Sequence, residues 1–144
     1  MTPQERADRS AAALWEGDAA ARQLGARLDA IGPGTATLSF EVQAQHLNGH
    51  GICHGGCIFT LADSAFACAC NSYNQVTVAQ ENTITYLSPG QPGERLSATC
   101  VEVSRIGRSG VYDVTVTGPD GRRVALMRGL SRTVRGVIFA EEDG

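Results

Sequence analysis

The sequence has no apolar run long enough to cross a bilayer. Its longest apolar stretch, Gly56 to Ala69, is shorter than the roughly 20 residues a span needs and is interrupted by Asp63. The opening segment MTPQERADRSAAALWEGD is charged and lacks the apolar centre of a signal peptide. There is no basic footprint either: the formal net charge is -3, with no Lys/Arg cluster and no nucleic-acid motif. These absences argue against nucleic-acid and membrane partners and lead us to expect a cytoplasmic protein. No CxxC or HExxH pattern occurs. His46, His50 and His54 recur at intervals of four with Cys53 and Cys57 among them, but in a glycine-rich loop rather than on one helical face, so no metal site is expected. The five cysteines are an odd number, and Cys53, Cys57, Cys68 and Cys70 sit in or beside an apolar stretch, as reduced thiols in a cytosolic core do. Without a repeat, linker or low-complexity segment, residues 1–144 read as one domain.

What is present centres on His46 to Asn71, HLNGHGICHGGCIFTLADSAFACACN. From Gly56 to Ala69 the clearly polar side chains are Thr60, Asp63 and Ser64, so this is a helix apolar on nearly every side and hence buried. Gly55 and Gly56 mark its start, where unbonded amides and the helix dipole can hold a developing negative charge. Asp63 is out of place, because aspartate is a mediocre helix-interior residue and is rarely buried without a partner. It either bonds another part of the fold or an interface, or it is a carboxylate in a partly dry cleft that activates water or attacks an electrophile. Asp63 lies eight residues after Gly55, about 12 Å along a helix axis. One substrate atom cannot touch both within a single chain. An antiparallel copy of the helix in a second subunit would bring them together, which favours a two-fold dimer with composite sites at the interface.

The rest of the chain reads as strands with one further helix. Thr2 to Glu16 is a helix with Thr2 as cap, Pro3 in its first turn, and a stripe of Ala7, Ala11, Leu14 and Trp15. Ala20 to Ile31 and Thr35 to Val42 alternate apolar and polar residues across the turn GPG, as a hairpin does. Gln75 to Leu87, Glu94 to Ile106, Gly110 to Thr117 and Arg122 to Arg135 supply four more strands, with Val76, Val78, Ile84 and Tyr86 alternating on the first. Pro119-Asp120-Gly121 is a tight turn, and Gly136 to Gly144 an acidic tail expected to fray. The expected class is α+β, an antiparallel sheet wrapped around one buried helix.

NGHGICHGGCIFTLADSAFACACN, with the later ITYLSPG, resembles the hotdog-fold acyl-CoA thioesterases, within them the branch of aerobic phenylacetate degradation. The likeness runs from about Ala20 to Val134, and the HGG followed seven residues later by Asp is its most specific part. It implies a hotdog fold, dimers with a continuous sheet that usually pair into homotetramers, and hydrolysis of phenylacetyl-CoA or its ring-hydroxylated forms to acid and CoA. It implies no cofactor, coenzyme A being part of the substrate. Carried over, it makes Gly55 the amide donor to the thioester carbonyl and Asp63 of the second subunit the base or nucleophile. Asn48 would orient the carbonyl or the water, and His54 would fix the loop or touch the thioester. Arg105, Arg108, Ser109 and Gly110 resemble the family's turn near the CoA nucleotide, although a solvated glycine hairpin explains them too. Phe59, Phe66 and Thr83 are candidates for the acyl pocket. Two other classes remain open: a hotdog hydratase or dehydratase using His54 with Asp63, and a non-catalytic acyl-CoA-binding protein.

Overall fold

A computed structural model describes residues 1–142; Asp143 and Gly144, the last residues of the expected tail, lie outside it. The elements run α1 (Pro3–Gly17), α2 (Ala19–Gln23), β1 (Arg27–Gly32), β2 (Thr35–Glu41), a 3-10 turn (Ala44–His46), α3 (Gly55–Cys70), β3 (Thr77–Tyr86), β4 (Arg95–Ile106), β5 (Ser109–Thr117) and β6 (Arg123–Thr133). Thr2 caps α1 by accepting the Glu5 N–H at 3.0 Å. The sheet is six-stranded and antiparallel in the order β1-β2-β4-β5-β6-β3. Hairpins make the β1–β2, β4–β5 and β5–β6 neighbours, while α3 carries the chain across to the far edge, where β3 pairs with β6.

The sheet wraps α3 because α3 has apolar side chains nearly all round. Its Ile58, Leu61, Ala62, Ala65, Phe66 and Ala69 are buried against Leu38 and Phe40 of β2, Leu96, Ala98 and Cys100 of β4, and Tyr112, Val114 and Val116 of β5. Each fully buried Leu or Phe of that set contributes about 1.5–3 kcal/mol. One stripe stays half-covered or open: Gly56, Phe59, Thr60, Asp63 and Ala67, which helical spacing places on a single face.

Three expectations need correction. Ala20 to Ile31 is not one strand: Ala19–Gln23 is the short helix α2, capped by Asp18 accepting the Ala21 N–H at 3.1 Å, and the strand begins only at Arg27. A run of alanines with one arginine fits the helical period as well as the extended one, and the Asp18 cap decides it. Second, β3 does not hold one alternation from Val76 to Tyr86. A bulge between Ala79 and Glu81 inserts one residue and reverses the faces beyond it. Thr77 and Ala79 lie across from Thr133 and buried Ser131, facing inward, and after the bulge Asn82 and Ile84 lie across from Gly129 and buried Met127, again inward. Val78, opposite Arg132, is 47% exposed.

Third, the described part of the tail is anchored. Asn74, at φ 59° in the left-handed region that asparagine tolerates, accepts the Ile138 and Phe139 N–H groups on Oδ1 at 3.0 Å each. Its Nδ2 donates to the Phe139 carbonyl at 2.9 Å and to Glu141 at 3.2 Å. Arg6 pairs with Glu141 at 2.9 Å and Arg9 stacks 4.3 Å over the Phe139 ring, so the strap also holds α1.

Candidate active site

The loop before α3 is built to present one amide. His54 is the helix cap: its Nδ1 accepts the Gly56 N–H at 2.9 Å, and its carbonyl accepts the Cys57 and Ile58 N–H groups at 2.9 and 3.3 Å. The Gly55 N–H is thereby left as the first-turn donor with no acceptor among the described residues. Tyr86 donates its hydroxyl to the Gly55 carbonyl at 2.9 Å, and its ring lies 3.0 Å from where a Gly55 Cβ would stand, so a side chain there would push the ring aside. Asn48 organises the loop, its Oδ1 accepting the His50 and Ile52 N–H groups at 2.9 and 3.3 Å. Asn48, Gly55, Ile58 and Tyr86 with Cys53 line one cavity of about 410 Å³. Cys53 supplies no nucleophile there, because burial pushes its thiol up to about 12 and keeps it protonated at neutral pH.

Asp63 lies elsewhere, on a second cavity of about 580 Å³ walled by Leu14 of α1, Phe66 and Ala67 of α3, Val78 and Ala79 of β3, and Ile138 of the strap. Asn82 Nδ2 donates to its Oδ1 at 2.8 Å. Burial raises the Asp63 carboxyl above the ordinary carboxylate range, the Asn82 bond pulls it down, and the charge of Asp18 adds to the rise. Asp18 is in turn tied to the same helix by the Ser64 hydroxyl at 2.8 Å. A carboxylate so placed is more basic than one in water, as a general base requires.

The structure thus brings Asn48, His54 and Gly55 together at the amino end of α3 and sets Asp63 and Phe66 apart from them. Phe66 borders the Asp63 cavity but is only 1% exposed, in edge contact with Tyr112 at 5.5 Å, so it is core first. Phe59 sits half-buried on the open stripe. Thr83 does not join them: the bulge turns it to the outer face, opposite Arg128, where it borders a cavity with Asp113. The β4–β5 turn lies at the other end of the sheet from Tyr86, since Ser109 pairs with Arg132, which pairs with Val78. There Arg105 stacks 3.6 Å over Tyr73, while Arg108 is exposed. Gly110 is buried, and packing requires glycine there, because a Cβ would meet Ser131 Oγ at 2.6 Å and Tyr112 at 2.7 Å. The three histidines serve separate purposes, with His46 buried edge-on to Phe40 at 4.9 Å, His50 exposed and His54 capping.

Sequence reasoning missed Asn82 and Tyr86 as site residues. Tyr86 carried a usable signal, a polar-tipped aromatic at an inward strand position, while Asn82, on the same face as Ile84, gave no local sign of Asp63 on the helix.

A free helix amide and a desolvated carboxylate on one long helix within a wrapped sheet define a class, and the thioesterase superfamily pattern matches residues 50–125. The chain belongs to that superfamily, and its fold is the hotdog fold. It is similar to the acyl-coenzyme A thioesterase PaaI of Escherichia coli strain K12, 42% identical over 136 residues, covering 94% of this chain and 97% of that protein. The solved structure of E. coli PaaI, from the phenylacetic acid degradation operon, superposes with a TM-score of 0.92 at 40% identity, over 94% of this chain and 99% of that one. A Streptococcus mutans UA159 protein solved bound to acetyl-CoA matches with a TM-score of 0.75 at 28% identity, over 78% of this chain and 90% of that one.

Proposed function

We propose that the protein hydrolyses acyl-CoA thioesters, aryl-acetyl-CoA foremost, at composite sites between two copies of the chain. The observation that carries this reading is the division of labour along α3: an unbonded Gly55 amide at its amino end, a basic Asp63 in its middle, and an open stripe of Gly56, Phe59, Thr60, Asp63 and Ala67 along one face. A second α3 laid antiparallel on that stripe sets each Asp63 beside the other copy's Gly55. β3, at the sheet edge, offers a strand to continue the sheet. The same pairing turns the β4–β5 hairpin of one copy toward the amino end of the other's α3, where Arg105 and Arg108 can meet CoA phosphates. Exposed Val101 and Val103 offer apolar area for pairing dimers into a tetramer. A cytoplasmic setting belongs to this reading, which five free thiols fit.

The Gly55 N–H donates to the thioester carbonyl oxygen and holds the charge that grows there as the carbon is attacked. Asp63 either takes a proton from the attacking water or attacks the carbon itself, forming an anhydride that water then opens. Either route breaks the C–S bond and releases the acid and the CoA thiol. The site residues supply this without metal or cofactor, because the carbonyl is already electrophilic. The Gly56 amide holds His54 Nδ1, so a hydratase would have to work through Nε2 alone.

Free-thiol release from aryl-acetyl, benzoyl, short and long aliphatic CoA thioesters tests the proposal. The native protein should turn over aryl-acetyl-CoA, and Asp63→Asn should not. No release from any thioester by a folded dimer that binds CoA would leave a binding protein instead.

A further inference from the structure

Asn82 is an odd residue to find under α3. The β3 bulge turns it inward, and across the ladder it meets Gly129, whose missing side chain leaves the space it fills: a Cβ there would stand 3.0 Å from Asn82 Oδ1 and 2.8 Å from the Phe66 ring. An ionised Asp63 only accepts, which fixes the amide with Nδ2 toward it at 2.8 Å. Asn82 Oδ1 is then buried with no partner among the described residues. A buried acceptor left unpaired is destabilising, and an apolar side chain of similar size would carry no such penalty. Fold stability therefore does not explain the asparagine, whereas the carboxylate it holds does.

We propose that Asn82 is a positioning residue for Asp63, binding one carboxylate oxygen so that the other faces the open stripe where the thioester and water arrive. This rests on the hydrolytic reading of Asp63 above. The charged and titratable groups around Asp63 give the amide a second consequence. Asp18, from the α1–α2 junction, opposes its ionisation, and Cys70 on α3 is a neutral thiol pushed up to about 12. β6 presents Gly129, and β3 presents Asn82 itself. The amide is the group that favours the charged form there, and it does so without the full positive charge that would quench the base.

The test is the pH dependence of kcat/KM for phenylacetyl-CoA hydrolysis by the full chain and by Asn82→Leu, Asn82→Asp and Asp63→Asn, each checked for native oligomeric state and melting temperature. Activity needs ionised Asp63, so the acidic limb marks its titration. Loss of the amide should move that limb up by about one pH unit in Asn82→Leu, a hydrogen bond to a charged group and one pKa unit being of similar size. It should lower kcat more than it changes KM, with melting at neutral pH little changed, since the lost bond to the carboxylate is offset by removal of the unpaired Oδ1. Asn82→Asp, nearly isosteric, should move the limb further in the same direction, because two carboxylates then share a proton. An unmoved limb in both Asn82 variants, with Asp63→Asn inactive, would overturn the proposal while leaving the hydrolytic reading intact. Full activity in Asp63→Asn would overturn both.

Discussion

Two carboxylates on opposite faces of the same sheet are treated in opposite ways. Asp113, on the outer face of β5, is forked by Arg128 at 2.7 and 2.8 Å, and that guanidinium holds its carboxyl below the usual carboxylate range. Asp63, covered by the inner face, receives a neutral amide at 2.8 Å and is raised by burial. An arginine beside Asp63 would have made it a weaker base and a better anchor. The amide holds the group in place and leaves its basicity largely to the dry surroundings. Geometry and reactivity are thus set by different neighbours at Asp63 and by one neighbour at Asp113.

The contrast breaks most completely at Asp63→Asn. If the carboxylate is the reacting base or nucleophile, hydrolysis should fall by about 10²- to 10⁴-fold in thiol-release assays. Stability should move the other way. The folded carboxyl titrates above its ordinary value of 3.8, so the native protein loses stability as pH rises from there through the raised value and is level beyond it. Melting curves from acid to neutral pH should therefore show Asp63→Asn gaining on the native protein over that window. A difference between the two proteins that stays constant, or that widens in favour of the native protein, across that window would contradict the sign.

The next largest effect tests whether the inner face needs a second copy. Ala67→Arg places a charge on the open stripe beside Asp63; sedimentation should show loss of the dimer, and hydrolysis should vanish with it. A fully active monomer would return the whole site to one chain. A smaller change sharpens the Asp63–Asn82 half: Gly129→Ala pushes a methyl into Phe66 and the Asn82 amide, costing about 1–3 kcal/mol in denaturant unfolding as overpacking does. It should shift the acidic limb in the direction Asn82→Leu does. The smallest effect belongs to the outer pair. Asp113 and Arg128 are 46% and 57% exposed, so solvent screens the pair and Arg128→Ala should barely move the melting temperature and leave turnover unchanged. Because Asp113 is lowered, the pair's contribution is present above the unfolded value and disappears as pH falls through the folded one.

How much of this was legible in the sequence follows from where the signals are local. α3 and Asp63 could be read directly, because an apolar helix with one carboxylate stands out against any pattern, and the glycines before it announce a close approach. The hairpins followed from turn residues. The separation of Gly55 from Asp63 followed from helical rise alone. α2 was missed because AAARQ satisfies both periods and its cap bonds also to Ser64, forty-six residues away. Val78 was placed on the face of Ile84 and Tyr86 because strand parity was counted through a bulge that only pairing with β6 reveals; Thr83 came from the resemblance rather than from parity, and Asn82 gave no local sign of its partner Asp63. The strap depends on Asn74, whose bonds reach across more than sixty residues.

The bulge in β3 makes the length of that strand as informative as its composition. Deleting Gln80 would close the bulge into a regular ladder, with Glu81 still opposite Leu130 and Asn82 still opposite Gly129 beneath the helix. Keeping Gln80 but straightening the strand, so that Gln80 stood opposite Leu130, would instead turn Thr83 inward and set the amide opposite the arginine outside. Sequence comparison across this strand should therefore allow one gap between Ala79 and Glu81 before judging which residues lie beneath the carboxylate.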